Sequence, residues 1–283
     1  MTARNLPTAR QVRLGAELRK LREAAGIAAR EVAEVLGTSS AQMSQIEAGN
    51  SAVGEERVRR LAAHCACADA ELIEALVAMA TDRTQGWWEE YRGVLPPGFL
   101  DLAELEHHAR FLRDISTAHV PGLLQTKDYA RAVFAYWVPE LPISELEPRV
   151  EHRMRRRTVI TRDGAVDYEA VIHESVLRTR VADRGAALAQ LNELLRQSER
   201  RNITIRVIPF DTDGFAGASA ALLYAGGAVP ALDTVQRDTP YGTAFIDAAA
   251  QLMAMRTVLR KVESAALDPA LSRDFMYHMA KEL

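Results

Sequence analysis

The sequence predicts two domains of different class. An all-α, five-helix helix-turn-helix domain is expected over residues 10–80, a linker over 81–86, and a larger α+β domain with a small mixed sheet and packed helices over 87–283. Three observations carry this. The 283-residue chain is longer than one small helical core needs, and its 48% hydrophobic content suffices for two cores. As far as Ala80 the apolar residues recur at helical spacing only. Beyond it two β-rich runs, Tyr168–His173 and Ile203–Ile208, flank a helical stretch, the mark of strands and helices packed together.

In chain order, Met1–Ala9 is expected to form a loose arm. Leu14, Leu18, Leu21 and Ala25 then make the stripe of a core-facing helix. Gly26–Asn50 reads as a helix, a tight turn and a second helix. Val32, Val35 and Leu36 give the first an apolar face, Gly37 ends it, and Thr38 with the serines after it caps the second. In that second helix Met43 and Ile46 point inward and Gly49 closes it. Its outer side holds Ser40, Ala41, Gln42, Ser44 and Gln45, where a solvated helix would carry Glu and Lys. Such a face suits the major groove of double-stranded DNA, in which Gln and Ser bond to base edges and Ala meets a thymine methyl. With Ser39 and Asn50 at its ends, these are the candidate DNA-binding residues; an ordinary helical hairpin in a small bundle fits the same spacing. Gly54–His64 forms the fourth helix, with Val58 and Leu61 inward and Arg57, Arg59 and Arg60 outward, toward phosphate or solvent. Ala70–Ala80 forms the fifth, with Leu72, Ile73, Leu76 and Met79 apolar.

Charge bounds the partners. Between Met1 and Ala80 ten Lys plus Arg balance ten Asp plus Glu, so a single copy is expected to hold DNA weakly, and a homodimer reading two half-sites would compensate. Met1–Gln11 has no signal-peptide pattern and no apolar run approaches a membrane span, so a cytoplasmic protein with no membrane partner is expected. Cys65 and Cys67, flanked by His64 and Asp69, lack the two-residue spacer and the second ligand pair of a tetrahedral site. Cys65 continues the Val58–Leu61 row, so a buried thiol is expected and no metal.

In the second domain Trp87, Trp88 and Tyr91 cluster with Leu95-Pro96-Pro97 and Phe99, as a domain-coupling anchor or a pocket wall. Helices are expected over Leu100–Thr117, Asp128–Trp137 and Ser144–Arg162, the last with Leu146, Val150 and Met154 inward. Its outward side would hold Arg149, Arg153, Arg155, Arg156 and Arg157, a DNA or anion contact or, diluted by Glu145, Glu147 and Glu151, a solvated face. Arg184–Arg200 is a helix; Ala220–Tyr224, Asp233–Arg237 and Thr243–Ile246 are short strands. Asp247–Leu267 and Asp268–Leu283 return to helix, the latter opened by a capping Asp and Pro269. The loop Asp211–Gly217 lacks the later ligands of a calcium loop and reads as a turn. His107, His108, His152 and His173 read as satisfied polar residues, without a metal-binding frame. No phosphate loop, nucleophile elbow or catalytic dyad stands out, so neither catalytic residues nor a cofactor is expected, and the chain is not expected to be an enzyme.

Two resemblances sharpen this reading. Leu14–Leu76, through Leu18-Arg19, Leu21-Arg22-Glu23, Gly26, Ala33, Leu36-Gly37 and Ser44-Gln-Ile-Glu-Ala-Gly49, resembles the phage-repressor-like helix-turn-helix domain (XRE family, Cro and cI type). The resemblance implies a structural ion pair between Arg22 and Glu47 that holds the recognition helix on the first helix. Ala28-Ala29 stands where that family has Ser-Gln, a cap and a phosphate-binding amide, and Gln42 and Gln45 replace its lysines and arginines. Trp87–Leu283 resembles the uncharacterised C-terminal domain DUF5753 of actinobacterial regulators. It does so through Trp87-Trp88, Tyr91-Arg92, Val120-Pro-Gly-Leu-Leu-Gln-Thr126, Tyr129-Ala-Arg-Ala132, Asn202-Ile-Thr-Ile205 and Pro209-Phe210. Phe215 stands where that family often has His. The resemblance implies a transcriptional regulator, antitoxin-like in some descriptions, often encoded beside a small partner protein (DUF397).

Overall fold

A computed structural model describes residues 6–136, 141–217, 221–239 and 242–283. The chain divides into two compact units, Met1–Trp87 and Trp88–Leu283.

The first unit is five helices: α1 (Ala9–Ala24), α2 (Ala29–Val35), α3 (Ser40–Glu47), α4 (Glu55–His64) and α5 (Ala70–Thr81). Local chemistry sets their ends. Thr8 and Gln11 form a reciprocal capping box, so α1 begins at Ala9, inside the stretch expected to be a loose arm; Met1–Asn5 lies outside the described residues. Ser39 and Asp69 cap α3 and α5 through their side chains, whereas Ala28 gives α2 no side-chain cap. Leu14, Leu18, Val32, Leu36, Met43, Ile46, Val58, Leu61 and Leu76 are buried together as the core. Ala25, expected inward, is exposed, because α1 ends before it. Buried on α1 instead are Arg13 and Glu17, an i,i+4 ion pair at 2.9 Å. Cys65 caps the C-terminal end of α4 as a buried thiol whose pKa burial raises, and Cys67 is half-buried.

The second unit is built on a six-stranded mixed sheet of order β3-β2-β1-β4-β5-β6. The strands are β1 (Phe111–Ser116), β2 (Asp167–His173), β3 (Ile203–Ile208), β4 (Leu222–Gly226), β5 (Thr234–Thr239) and β6 (Gly242–Ile246). β1, β2 and β3 run parallel, with Phe111 opposite Asp167 and Tyr168 opposite Ile203. β4, β5 and β6 add antiparallel on the other side of β1. Alternate residues feed two cores. Leu112, Tyr168, Ala170, Ile172, Ile205, Val207 and Leu223 face one, with Leu191, Leu194 and Met276. Ile115, Val171, Ile208, Leu222, Tyr224 and Val235 face the other, under Leu252 and Val262.

The helices are α6 (Pro97–His108), α7 (Lys127–Ala135), α8 (Ile143–Arg156), α9 (Thr158–Thr161), α10 (Glu174–Arg178), α11 (Arg184–Gln197), α12 (Ala249–Ala265) and α13 (Pro269–Glu282). The sequence reading is corrected at three places. The single helix expected over Leu100–Thr117 is α6 followed by β1. Ala109 turns extended after His108, and pairing on both sides makes residues 111–116 an interior strand whatever their local preference. The helix expected over Ser144–Arg162 breaks at Arg157 into α8 and α9. α10, five residues with no periodic signal of their own, was not anticipated. Trp137, expected to end α7, lies outside the described residues, as does Ala220 at the start of the strand realised as β4.

Candidate nucleic-acid interface

The α2–turn–α3 unit is fixed by backbone chemistry before any side chain reads DNA. Gly37, at φ +64°, takes the left-handed angle after α2, and Thr38 N–H donates to the Ala33 carbonyl at 2.9 Å. Ser39 Oγ then accepts from Gln42 N–H at 3.1 Å and starts α3. The far end of α3 is clamped to α1. Arg22 donates to both Glu47 oxygens, at 2.6 and 2.9 Å, and to the Ile27 carbonyl at 2.9 Å. The two side chains are 11% and 9% exposed, so this is a nearly buried bidentate pair, and its hydrogen bonds raise the Arg22 pKa. Gly15 adds a contact that the sequence reading passed over. A Cβ there would lie 2.6 Å from the carbonyl oxygens of Ile46 and Glu47, so α1 and the end of α3 approach backbone to backbone. A lone glycine inside a helical stripe was the available signal.

With Met43 and Ile46 buried, α3 leaves Ser40, Ala41, Ser44 and Gln45 exposed, with Ser39 before and Asn50 after them. Ser44 Oγ donates back to the Ser40 carbonyl at 3.0 Å. Gln42 differs: it is half-buried, and its amide donates to Ser51 Oγ at 2.5 Å. Its amide is therefore partly spent within the protein. The Gln45 amide makes no hydrogen bond among the described residues. Of the α4 arginines, Arg59 bridges Glu55 and Glu74, and Arg60 donates to the Val35 carbonyl. Arg57, exposed in the first turn of α4, has no ion pair among the described residues.

Most of the basic run on and just after α8 turns inward, against the expectation of an outward face, while Arg155 stays 39% exposed. Arg156 is 7% exposed and pairs bidentately with Glu106, itself 1% exposed, at 2.5 and 2.9 Å. Arg153 donates to Gln125 Oε1 at 2.8 Å and lies over the Phe134 ring at 4.2 Å; burial, then the neighbouring Arg156, pushes its pKa down to about 9. Arg155 pairs with Glu90 and Arg157 with Glu193. Arg149 is 12% exposed and donates to the Glu145 carbonyl at 2.6 Å. The reason is tertiary: acidic side chains from distant elements meet this face, which helical periodicity alone cannot register. Gln125 also ties the Val120–Thr126 segment to itself, donating to the Val120 carbonyl at 2.7 Å, while Gln190 accepts from Thr126 N–H at 2.8 Å. Trp88 and Tyr91 are buried in the second unit, Trp88 against His107 and Tyr91 edge-on to His152; Trp87 is half-buried.

No helix among the described residues is long and apolar enough to cross a membrane. No curated protein and no solved structure matches the chain. Residues 13–76 match the family model of a helix-turn-helix domain, a DNA-binding module, and enclose all the α3 residues described above. Residues 99–278, more than half of the chain, match the model described as a domain of unknown function (DUF5753). The chain therefore belongs to the DUF5753 family, carrying that domain behind an N-terminal helix-turn-helix that marks it as a DNA-binding regulator.

Proposed function

We propose that this protein is a sequence-specific transcriptional regulator that binds a palindromic operator as a homodimer, and that its second unit receives a small ligand or a small co-encoded protein. The observation that carries the reading is the outer face of α3. It is exposed, uncharged and amide-bearing, and it sits on a helix locked to α1 by Arg22–Glu47 and by the close approach at Gly15. Within that face Gln45 holds the uncommitted amide, suited to bidentate pairing with adenine. Gln45→Ala should cost about 1–3 kcal/mol at one base position and little at the others. Binding titrations across single-base operator variants check this; an unchanged preference at every position removes Gln45 from the readout. Trp87, Trp88 and Tyr91, around the boundary between the units, are the proposed route by which an input to the second unit reaches the first.

A second reading, an antitoxin-like interaction module with weak or lost DNA binding, draws on specific features. Ala28 provides no cap at α2, Arg59 and Arg60 are spent internally, and the first 80 residues carry balanced charge. Salt dependence separates the two. A regulator that neutralises Z phosphates loses affinity with a log–log slope of about −0.9Z, whereas no binding even at low salt favours the interaction module.

A further inference from the structure

One face of the sheet in the second unit is incompletely covered by α12. A pocket of about 530 Å³ opens there, within the range of about 300–1,000 Å³ in which small-molecule sites fall. Its floor is aromatic. Phe111 and Tyr224 lie within 10° of parallel at 6.2 Å, and Phe111 lies across Gly226, where a Cβ would come within 2.1 Å of its ring. Val171, Met253 and Leu259 add apolar wall. The floor is also held still. Tyr224 OH donates to Asp233 at 2.5 Å and accepts from Arg256 at 2.6 Å, and Arg256 reaches the Pro230 carbonyl as well.

The charges around this pocket are unevenly committed. Asp233 is taken by Arg256, at 2.9 Å. Glu169 is shared between Arg113, at 3.2 Å, and Arg206, at 3.0 Å, and Glu263 stands 4.0 Å from that same Arg206. Asp114 touches the pocket, but its carboxyl accepts from Ser116 and Tyr168 on the opposite face of the sheet. Of the lining residues, Arg113, Arg256 and Arg260 thus stand among Glu169, Asp233 and Glu263, and Arg206, outside the lining, draws on both Glu169 and Glu263. Arg260, exposed on α12, has no carboxylate partner among the described residues; its one side-chain hydrogen bond is a 3.4 Å contact with Thr257.

We propose that this pocket binds a small amphipathic monoanion, its planar apolar body on the Phe111–Tyr224 floor and its charge at Arg260 with Arg113; that such binding is a regulatory input rests on the function proposed above, while the binding itself does not. An aromatic face takes a flat apolar body, and the Arg260 guanidinium selects an anion over a neutral or cationic analogue.

The test uses the full chain without DNA and two fluorescent probes of similar shape. 8-Anilinonaphthalene-1-sulfonate carries the anion and N-phenyl-1-naphthylamine lacks it. The sulfonate should bind saturably at one site per chain. Arg260→Glu, on an exposed helix face, should weaken it about tenfold while changing the neutral probe less than about twofold, and Arg260→Lys should restore most of the loss. Thermal melts verify that both variants keep the fold. Non-saturable binding, an unchanged sulfonate affinity in Arg260→Glu, or an equal loss for both probes overturns the proposal. Operator binding is then titrated with and without saturating sulfonate. Saturable, Arg260-dependent binding that leaves operator affinity untouched keeps the site and removes its regulatory role; failure of the site alone leaves the DNA-binding reading standing.

Discussion

Single side chains decide two properties of this protein, the hold on α3 and the response to acid. Glu47→Ala would leave Arg22, a nearly buried guanidinium, with only the Ile27 carbonyl and Glu23 at 3.6 Å, and breaking a buried pair costs up to about 3–5 kcal/mol. The expected result is an earlier urea transition in the first unit, with operator affinity falling alongside it. His152 contributes to the acid sensitivity of the second unit, alongside the ion-paired carboxyls of Glu90, Glu147 and Glu193. It is 1% exposed, packs edge-on to Tyr91 and Phe99, and burial followed by repulsion from Arg156, Arg153 and Arg155 pushes its pKa down to about 3. The unfolded chain takes up a proton near the ordinary histidine value of about 6.5, which the folded form refuses until about 3. Stability from this residue is therefore full above about pH 6.5 and is lost as the pH falls from there toward 3. Asp114 works in the opposite sense. Burial pushes its carboxyl up to about 7, so ionisation in the unfolded chain erodes stability as the pH rises from about 4 toward 7. In urea unfolding at several pH values, His152→Phe should flatten the acid-side loss, and Asp114→Asn should remove the opposing slope. The Arg22–Glu47 pair was legible from the sequence by family resemblance. The titration of His152 was not, because its largest cause is burial against Tyr91 and Phe99, more than fifty residues away along the chain, whereas the arginines beside it are near in sequence.

At the scale of elements, the arginines divide into those free to meet DNA and those already committed. On α4, Arg57 is uncommitted and Arg59 is locked between Glu55 and Glu74. Arg57→Ala should weaken binding alike on every operator variant and lower the magnitude of the salt slope by about 0.9, the share of one phosphate contact. Arg59→Ala should leave the slope close to its original value. A titration series between low and moderate salt reads both. The five helices of the first unit were legible, since each carries its own apolar stripe, Gly37 and Gly49 mark the stops of α2 and α3, and Ser39 and Asp69 mark the starts of α3 and α5. β1 was not. Phe111–Ser116 reads locally like the continuation of α6, and only its neighbours β2 and β4 make it the central strand. The same blindness hid the pocket, because Phe111 and Arg113 stand on that strand.

For the whole molecule the prediction concerns stoichiometry. If a homodimer reads two half-sites roughly 34 Å apart, native mass measurement of the saturated complex should find two chains per operator. Inserting about five base pairs between the half-sites turns one of them to the opposite face of the duplex, and affinity should fall to that of a single half-site. One chain per operator, or indifference to the insertion, would sink the dimer. What the sequence determined by itself is what short-range chemistry controls. It set the helix periodicities and their caps, the change from helical to mixed composition beyond Ala80, the β3 alternation at Ile203–Ile208 and the uncharged face of α3. These depend on residues a few positions apart, so a linear reading captures them. Tertiary structure alone decided that α1 and α3 meet at Gly15, that Arg153, Arg156 and Arg157 face Gln125, Glu106 and Glu193 rather than solvent, and that Phe111, Tyr224 and Arg260 line one pocket. Those partners are separated by tens of residues or more along the chain, and their proximity is a property of the packed sheet and helices, which no local pattern encodes.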